Sequence, residues 1–186
     1  MKFQKEKKRQ LEMKDNSDIG EWDEKILSLC NKINSRKEYY TTSSCAGRAV
    51  LIEDCEKKKS GLFLFRSHEK ISFSELKKEL EKARNKTYGL IYFKQEPCIL
   101  HVASNSLEQA QKLLDKAKLA GWKNSGIIAS CGRIILEMRS TEKLELPAVN
   151  QGKILFDDDF LKLLVSEANK KLERTWEKIK KLEKLI

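Results

Sequence analysis

Residues Thr41-Thr42-Ser43-Ser44-Cys45-Ala46-Gly47-Arg48 place four hydroxyls, a thiol, a glycine and a guanidinium in one run. Tyr39 and Tyr40 precede it, and the apolar run Ala49-Val50-Leu51-Ile52 follows. Hydroxyls both donate and accept hydrogen bonds, and a guanidinium pairs bidentately with a carboxylate or a phosphate. A glycine lets the backbone approach a ligand closely. The run therefore suits a ligand bearing carboxylate or phosphate groups. It equally suits a strand end and tight turn whose hydroxyls cap the backbone. Cys45 invites a nucleophile reading, but a thiolate nucleophile needs a base or another partner that lowers its pKa. The histidines, His68 and His101, are distant in sequence, so a structural or contact role is expected for Cys45.

A second run, Phe93-Lys94-Gln95-Glu96-Pro97-Cys98-Ile99-Leu100-His101-Val102, carries two more candidates. Glu96 precedes a proline and so takes extended or turn geometry. His101 alternates with Leu100 and Val102 and faces the other side of its strand. It reads either as a functional group or as a hydrogen-bonded, half-buried histidine. A third run, Arg139-Ser140-Thr141, follows an apolar strand and precedes Glu142, Glu145 and Pro147. An arginine and two hydroxyls at a strand end can hold phosphate or carboxylate, or can form a solvated turn. There is also an internal echo. Ser44-Cys45-Ala46-Gly47-Arg48 leads into an apolar stretch ending at Glu53, and Ser130-Cys131-Gly132-Arg133 leads into one ending at Glu137. Two similar strand starts would aim Arg48 and Arg133 toward one pocket. The sequence contains no G-x-G-x-x-G, Walker loop or H-E-x-x-H motif.

These runs need elements to hold them. Trp22, Ile26, Leu29, Cys30 and Ile33 recur three or four apart, which predicts a helix ending near Arg36. Tyr39 to Cys45 and Ala49 to Glu53 read as strands flanking a Gly47 turn, Glu56 to Ser60 as a charged turn, and Gly61 to Phe65 as a strand. Ser72 with Glu75 forms a capping box that opens a helix burying Phe73, Leu76, Leu80 and Ala83. Tyr88 to Phe93 and Cys98 to Ala103 are strands separated by Pro97. Ser106 with Gln109 opens a second capped helix, burying Leu107, Ala110, Leu113, Leu114 and Ala117 and stopping at Gly121. Gly126 to Ala129, Arg133 to Met138 and Leu144 to Val149 are extended. Residues 157–186 form one long helix, begun by Asp157-Asp158-Asp159. Its heptad seam of Val165, Ala168, Leu172, Thr175, Ile179, Leu182 and Ile186 packs on its own protein or on a second copy. The expectation is internal packing. The order of elements predicts an α+β class: a single domain over residues 1–186 with a mixed β-sheet, helices packed on it, and a basic arm over residues 1–20.

The 186 residues carry 38 Lys+Arg against 28 Asp+Glu, a net charge of +10. Such an excess points to a polyanionic partner, nucleic acid before membrane, or to the charged surface of a thermophile protein. With 40% hydrophobic residues the chain can build a core. No stretch approaches the roughly 18 apolar residues of a membrane span, and the basic start lacks a signal-like segment, so a cytoplasmic protein is expected. Cys30, Cys45, Cys55, Cys98 and Cys131 are scattered without a C-x-x-C pair, which gives no basis for a zinc site or another metal. A basic, non-catalytic RNA-binding module would satisfy the same charge. So would an interaction protein built on the last helix, though neither needs three separate polar strand ends.

Taken together, the three polar runs resemble the tRNA wybutosine-synthesizing protein 3 family. The matching residues are the run from Thr41 to Arg48, then Phe93, Glu96, Pro97 and His101-Val102, then Asn124-Ser125-Gly126-Ile127, Arg139-Ser140-Thr141 and Pro147. Asp23-Glu24, Asn169, Leu172 and the arm around Phe3 and Lys7 fit as well. Cys131 and Gly132 fall outside the family pattern, which weakens the internal echo as a site argument.

The resemblance implies an S-adenosylmethionine-dependent methyltransferase. It would act on N4 of a 4-demethylwyosine-type tricyclic base in the anticodon loop of tRNA(Phe); the expected internal packing of the heptad seam separately favours a monomer. Methyl transfer to a ring nitrogen gains most from positioning and from a base that takes the proton. Candidate bases are Asp23, His101 and Glu96, with Asp23 equally readable as a helix N-cap. Candidate cofactor contacts are Ser43, Ser44, Gly47 and Arg48. Arg133, Arg139, Ser140 and Thr141 are candidates for the acceptor and tRNA, Tyr39 or Tyr40 for stacking on the base, and the basic arm and last helix for tRNA phosphates.

Overall fold

A computed structural model describes residues 2–12, 23–55 and 61–186. Trp22, residues 13–20 of the basic arm and the expected turn from Glu56 to Ser60 lie outside the described residues. The helices are α1 (Lys2–Glu12), α2 (Glu24–Ser35), α3 (Phe73–Arg84), α4 (Leu107–Leu119) and α5 (Asp158–Leu185). The strands are β1 (Tyr39–Cys45), β2 (Arg48–Glu53), β3 (Phe63–Ser67), β4 (Ile91–Glu96), β5 (Ile99–Ser104), β6 (Gly126–Ala129), β7 (Ile134–Arg139), β8 (Leu144–Asn150) and β9 (Lys153–Ile154).

The α+β class and the long C-terminal helix are as expected. The single mixed sheet is not. The strands form two antiparallel sheets, one of order β1-β5-β7-β6 and one of order β3-β2-β4-β8-β9. The reason lies at Gly47 and Pro97. Gly47, at φ 95°, takes a conformation open to glycine, and Pro97 has no N–H to continue a ladder. Neither folds its strand back as a hairpin: β1 pairs with β5, and β2 pairs with β4. The chain accordingly divides into two compact units. One comprises Met1–Ala46, Cys98–Thr141 and Thr175–Ile186, and the other Gly47–Pro97 and Glu142–Arg174.

In the first unit, α2 and α4 bury the faces that their spacing predicts, Ile26, Leu29, Cys30 and Ile33 on one and Ala110, Leu113, Leu114 and Ala117 on the other. They pack on Leu100, Val102, Leu136 and Met138 of the sheet, with Trp122, Ile179 and Leu182. Trp122 is fully buried, and its indole N–H donates to the Lys178 carbonyl at 3.1 Å. Leu107, expected inside, is 52% exposed, because it lies in the capped first turn ahead of the buried stretch that starts at Ala110. The basic arm begins as a helix, α1, with no buried residue.

In the second unit, Ala49, Leu51, Ile91, Phe93 and Val149 of the sheet meet Leu76, Leu80 and Ala83 of α3 and Leu161, Leu164, Val165 and Ala168 of α5. Ser72 and Glu75 form the expected reciprocal capping box. Asp157 caps α5 by accepting the Phe160 N–H at 2.8 Å. Asn169 clamps Ile71, accepting its N–H at 3.0 Å and donating to its carbonyl at 2.8 Å. The heptad seam packs internally. Val165 and Ala168 belong to this core, and Ile179 and Leu182 to that of the first unit.

Candidate functional site

The chemistry-bearing side chains of the first unit lie in a row across its sheet. Strand register sets Ser43 opposite His101 and His101 opposite Glu137. Leu100, Val102, Leu136 and Met138 alternate with these residues and point into the core, so the row occupies the opposite face. A register irregularity between Thr41 and Ser43 makes the row possible. Thr41 pairs with core-facing Val102, so strict alternation would put Thr42 beside His101 and turn Ser43 inward. The extra residue shifts the phase. Ser43 Oγ then lies 2.7 Å from His101 Nδ1, and Glu137 Oε2 lies 3.0 Å from His101 Nε2. Arg139, two residues beyond Glu137 on the same face, reaches the other carboxylate oxygen at 3.3 Å. Ser125 fixes the Arg139 backbone, accepting its N–H at 3.0 Å while donating to the Trp122 carbonyl at 2.6 Å.

A carboxylate only accepts, so Nε2 of the neutral His101 ring carries the proton and Nδ1 accepts from the Ser43 hydroxyl. Ser43 is exposed, while the side chains of His101 and Glu137 keep 24% and 29% of their surface. The shift that brings Ser43 out turns Ser44 in, opposite Leu100. There its hydroxyl bonds to Cys30, whose thiol is pushed up to about 12, chiefly by burial.

Asp23 is the N-cap of α2, its Oδ1 accepting from the Lys25 N–H at 3.4 Å. Its Oδ2 accepts from the Ala46 N–H at 2.9 Å and so pins the end of the hydroxyl run. The expected stacking role of the tyrosines is corrected by burial. Tyr39 belongs to the core and its hydroxyl donates to the Gln109 carbonyl at 2.8 Å. Tyr40 is fully buried, with the Phe3 ring of α1 5.1 Å away. Burial raises the pKa of both phenols. Arg133 pairs with Glu6 of α1 at 3.7 Å. Thr141 Oγ1 accepts from Lys178 at 3.0 Å. Ser140 is fully buried, and its hydroxyl has no partner among the described residues.

In the second unit Arg48 Nε donates to Glu96 Oε2 at 2.5 Å, across a directly paired position of β2 and β4. The Arg48 guanidinium also lies 4.8 Å from the centre of the Phe63 ring, and that of Arg66 4.6 Å from it. Two cations on one partly exposed aromatic ring make a positive patch. Gln95, next to Glu96, is fully buried with its Oε1 unpartnered among the described residues.

The structure thus brings Ser43, His101 and Arg139 together in one unit, and Arg48 with Glu96 in the other. The internal echo does not survive as a structural repeat. Gly47 leads from one sheet to the other, whereas Gly132, at φ 77°, lies between β6 and β7, which pair as neighbours. Sequence reasoning missed Glu137, Phe63 and Arg66. Glu137 was visible as the one acid alternating with Leu136 and Met138, but its pairing with a histidine 36 residues away was not. A cleft of about 490 Å³ beside Tyr39 and Gln109 and one of about 400 Å³ beside Arg84 and Phe156 hold, of the candidate residues, Tyr39 alone.

Two antiparallel sheets with polar, arginine-bearing strand ends, and no glycine-rich phosphate loop, define an α+β protein distinct from dinucleotide-type folds. The model of the methyltransferase TYW3 family matches residues 4–186. A protein of Thermococcus sibiricus named tRNA(Phe) 7-((3-amino-3-carboxypropyl)-4-demethylwyosine(37)-N(4))-methyltransferase is 37% identical over 185 residues, covering 97% of this chain and 92% of that protein. The tRNA wybutosine-synthesizing protein 3 homolog of Danio rerio is 36% identical over 99% of this chain and 74% of its own length. The solved structure of the PH1069 protein from Pyrococcus horikoshii superimposes with a TM-score of 0.88 at 34% identity, covering 98% of this chain and 92% of that one. The chain belongs to the methyltransferase TYW3 family and is an enzyme of that class. Such an enzyme needs a methyl donor, and its named relatives act on tRNA. No described helix is long and apolar enough to cross a membrane.

Proposed function

We propose that this protein methylates N4 of the 4-demethylwyosine-type base at position 37, in the anticodon loop of tRNA(Phe), using S-adenosylmethionine. The near full-length match to a Thermococcus sibiricus protein named for that activity carries the reading. The net charge of +10 suits a tRNA partner, and Lys2, Lys5, Lys8 and Arg9 of α1 are exposed to meet phosphates. Internal packing of the heptad seam favours a monomer.

The residues present fit the cofactor. Its amino-acid end needs a carboxylate partner and polar atoms, and Arg48 offers a guanidinium with five donors, of which Glu96 takes the one on Nε. Gly47 allows close backbone approach. Buried polar atoms without partners are few in folded proteins, and Gln95 Oε1, in the same unit as Arg48, suits a polar ligand. When bound, S-adenosylmethionine supplies an electrophilic methyl group and a neutral leaving group.

The chain's own residues supply position and a proton acceptor. Of the three candidate bases, Asp23 has both oxygens engaged by backbone N–H groups, and Glu96 is engaged by Arg48. His101 keeps Nδ1 as an acceptor beside an exposed hydroxyl and is assigned as the base. Arg133, 43% exposed and only 3.7 Å-paired with Glu6, is assigned to the acceptor's side-chain carboxylate.

Mass spectrometry of tRNA(Phe) carrying the unmethylated tricyclic base, after incubation with protein and S-adenosylmethionine, tests the reading. It expects a gain of one methyl on that nucleoside. An unchanged nucleoside mass overturns it.

A further inference from the structure

We infer that Ser43, His101 and Glu137 form a proton relay in which Ser43 touches the substrate and Glu137, held by Arg139, is a positioning residue for His101. The inference rests on the methyl-transfer reading and adds two roles to it. Ser43 moves from cofactor contact to proton carrier, and Glu137 acquires a function that its pairing with His101 reveals.

The side chains of three strands meet in one row, with heavy-atom separations of 2.7 and 3.0 Å on the two sides of one imidazole. Both lie within hydrogen-bonding range. Glu137 can only accept, so it selects the tautomer with the proton on Nε2 and leaves Nδ1 basic. His101 Nδ1 is therefore not offered to solvent directly. The Ser43 hydroxyl stands on it, and Ser43 is the exposed end of the chain of contacts. Arg139, at 3.3 Å from Glu137 Oε1, pairs with the carboxylate and aims it. Among the described residues the three strands bring to this face Glu137 and Arg139 from β7 and His101 from β5, while β1 contributes the hydroxyl of Ser43 and, in register with Arg139 through Ile99, the thiol of Cys45.

Charge and protons balance. As the acceptor nitrogen bonds the methyl carbon, the sulfur retains the electron pair of the bond that breaks. The N–H proton passes to Ser43 Oγ while the Ser43 proton passes to His101 Nδ1. The imidazolium so formed is stabilised by the Glu137 carboxylate and returns its proton to water after turnover. A plain polar decoration of a sheet face would not require a register irregularity at Thr42 to bring Ser43 onto the histidine.

The test uses Glu137→Gln and Ser43→Ala in the full chain. Nitrogen NMR of the imidazoles, assigned with His68→Asn, reads the tautomer, since His68 and His101 are the two histidines. Wild type is expected to show His101 with Nε2 protonated, and Glu137→Gln to show a mixture, because the amide no longer dictates the donor. In methyl transfer kcat is expected to fall roughly a hundredfold in each variant, the lower end of what a positioned general base contributes. KM for tRNA and the Kd for S-adenosylmethionine by calorimetry stay within about twofold. Absence of methylation by wild type sinks the functional reading. Active wild type with Glu137→Gln at the same kcat, or with His101 in the same single tautomer, sinks the relay alone. A loss of cofactor affinity in Ser43→Ala returns that residue to the cofactor site.

Discussion

Replacing Arg48 with alanine separates a cofactor contact from a structural ion pair, because the two predict different magnitudes. The Arg48 and Glu96 side chains keep 24% and 34% of their surface. At that exposure an ion pair contributes at most about 1 kcal/mol, and the stacking on Phe63 at 4.8 Å adds about 0.5–1 kcal/mol. For a chain of this size, each such kcal/mol is a fall in Tm of about 2–4 °C. A guanidinium bonded to the cofactor carboxylate is a charge-assisted contact of about 1.5–3 kcal/mol, or a roughly 10- to 150-fold rise in Kd. Calorimetry with S-adenosylmethionine and a thermal melt read the two quantities on one sample. Arg48→Ala is expected to melt a few degrees lower and to bind at least tenfold more weakly. Arg48→Lys keeps the charge but loses the fork geometry and should fall between them. Glu96→Gln removes a competing carboxylate and should not weaken binding. An Arg48→Ala protein that folds and binds with the wild-type Kd refutes the assignment. So does a collapse in Tm of more than about 10 °C, which would make Arg48 structural.

Alkaline pH should destabilise the first unit. The Cys30 thiol, with an ordinary pKa of 9.0, is pushed up to about 12 in the folded chain, chiefly by burial. Below pH 9 it is neutral in both states and its contribution is complete. As pH rises through 9 toward 12 the unfolded chain loses the proton first, and up to about 4 kcal/mol is lost. Tyr39 and Tyr40, also raised by burial, act in the same direction. Urea melts of wild type and Cys30→Val across that range should show a shallower decline in the variant, and an identical slope would remove Cys30 as a cause. Asn169→Ala strips both backbone partners from Ile71 and should cost about 2–4 kcal/mol by urea denaturation, whereas a loss within about 0.5 kcal/mol would show the clamp to be replaced by water. Leu182→Asp puts a charge into a fully buried position and should lower the melting temperature without changing the monomer mass by light scattering. A wild-type dimer that the variant splits would place the seam between copies instead.

The elements were legible where one physical rule dominated. The capping serines Ser72 and Ser106 and the buried faces of α2, α3 and α4 follow from local hydrogen bonding and a period of three or four. The Asn150–Lys153 hairpin was missed. Its Gln151 and Gly152, at φ 48° and 73°, form a two-residue turn with both φ values positive, but Gln-Gly is a weaker signal than Asn-Gly. The two-sheet arrangement was missed for a different reason. A glycine between two strands looks the same whether it closes a hairpin, as Gly132 does, or sends the chain to another sheet, as Gly47 does. The distinction rests on which distant strand offers the better ladder, and the partners lie far off: Ser43 and His101 are 58 residues apart, and Arg48 and Glu96 are 48 apart.

The site shows how far residue types carry an argument and where pairing takes over. Its hydroxyls, histidine and arginines stood out by composition, yet their roles depend on a phase that composition cannot set. Counted strictly from Tyr39, which faces the core, alternation turns Ser43 inward and Thr42 outward. The irregularity after Thr41 reverses this, placing Ser43 on His101 and Ser44 on Cys30. Two adjacent serines with the same chemistry are thereby divided, one exposed on the face that carries the acid–base row and one hydrogen-bonded to a core thiol. Removing either hydroxyl should therefore have unlike consequences: Ser43→Ala is expected to lower turnover with little change in stability, and Ser44→Ala to do the reverse. Equal effects on turnover from the two substitutions would mean that the run acts as an undivided hydroxyl cluster, and the phase shift at Thr42 would then have no functional meaning.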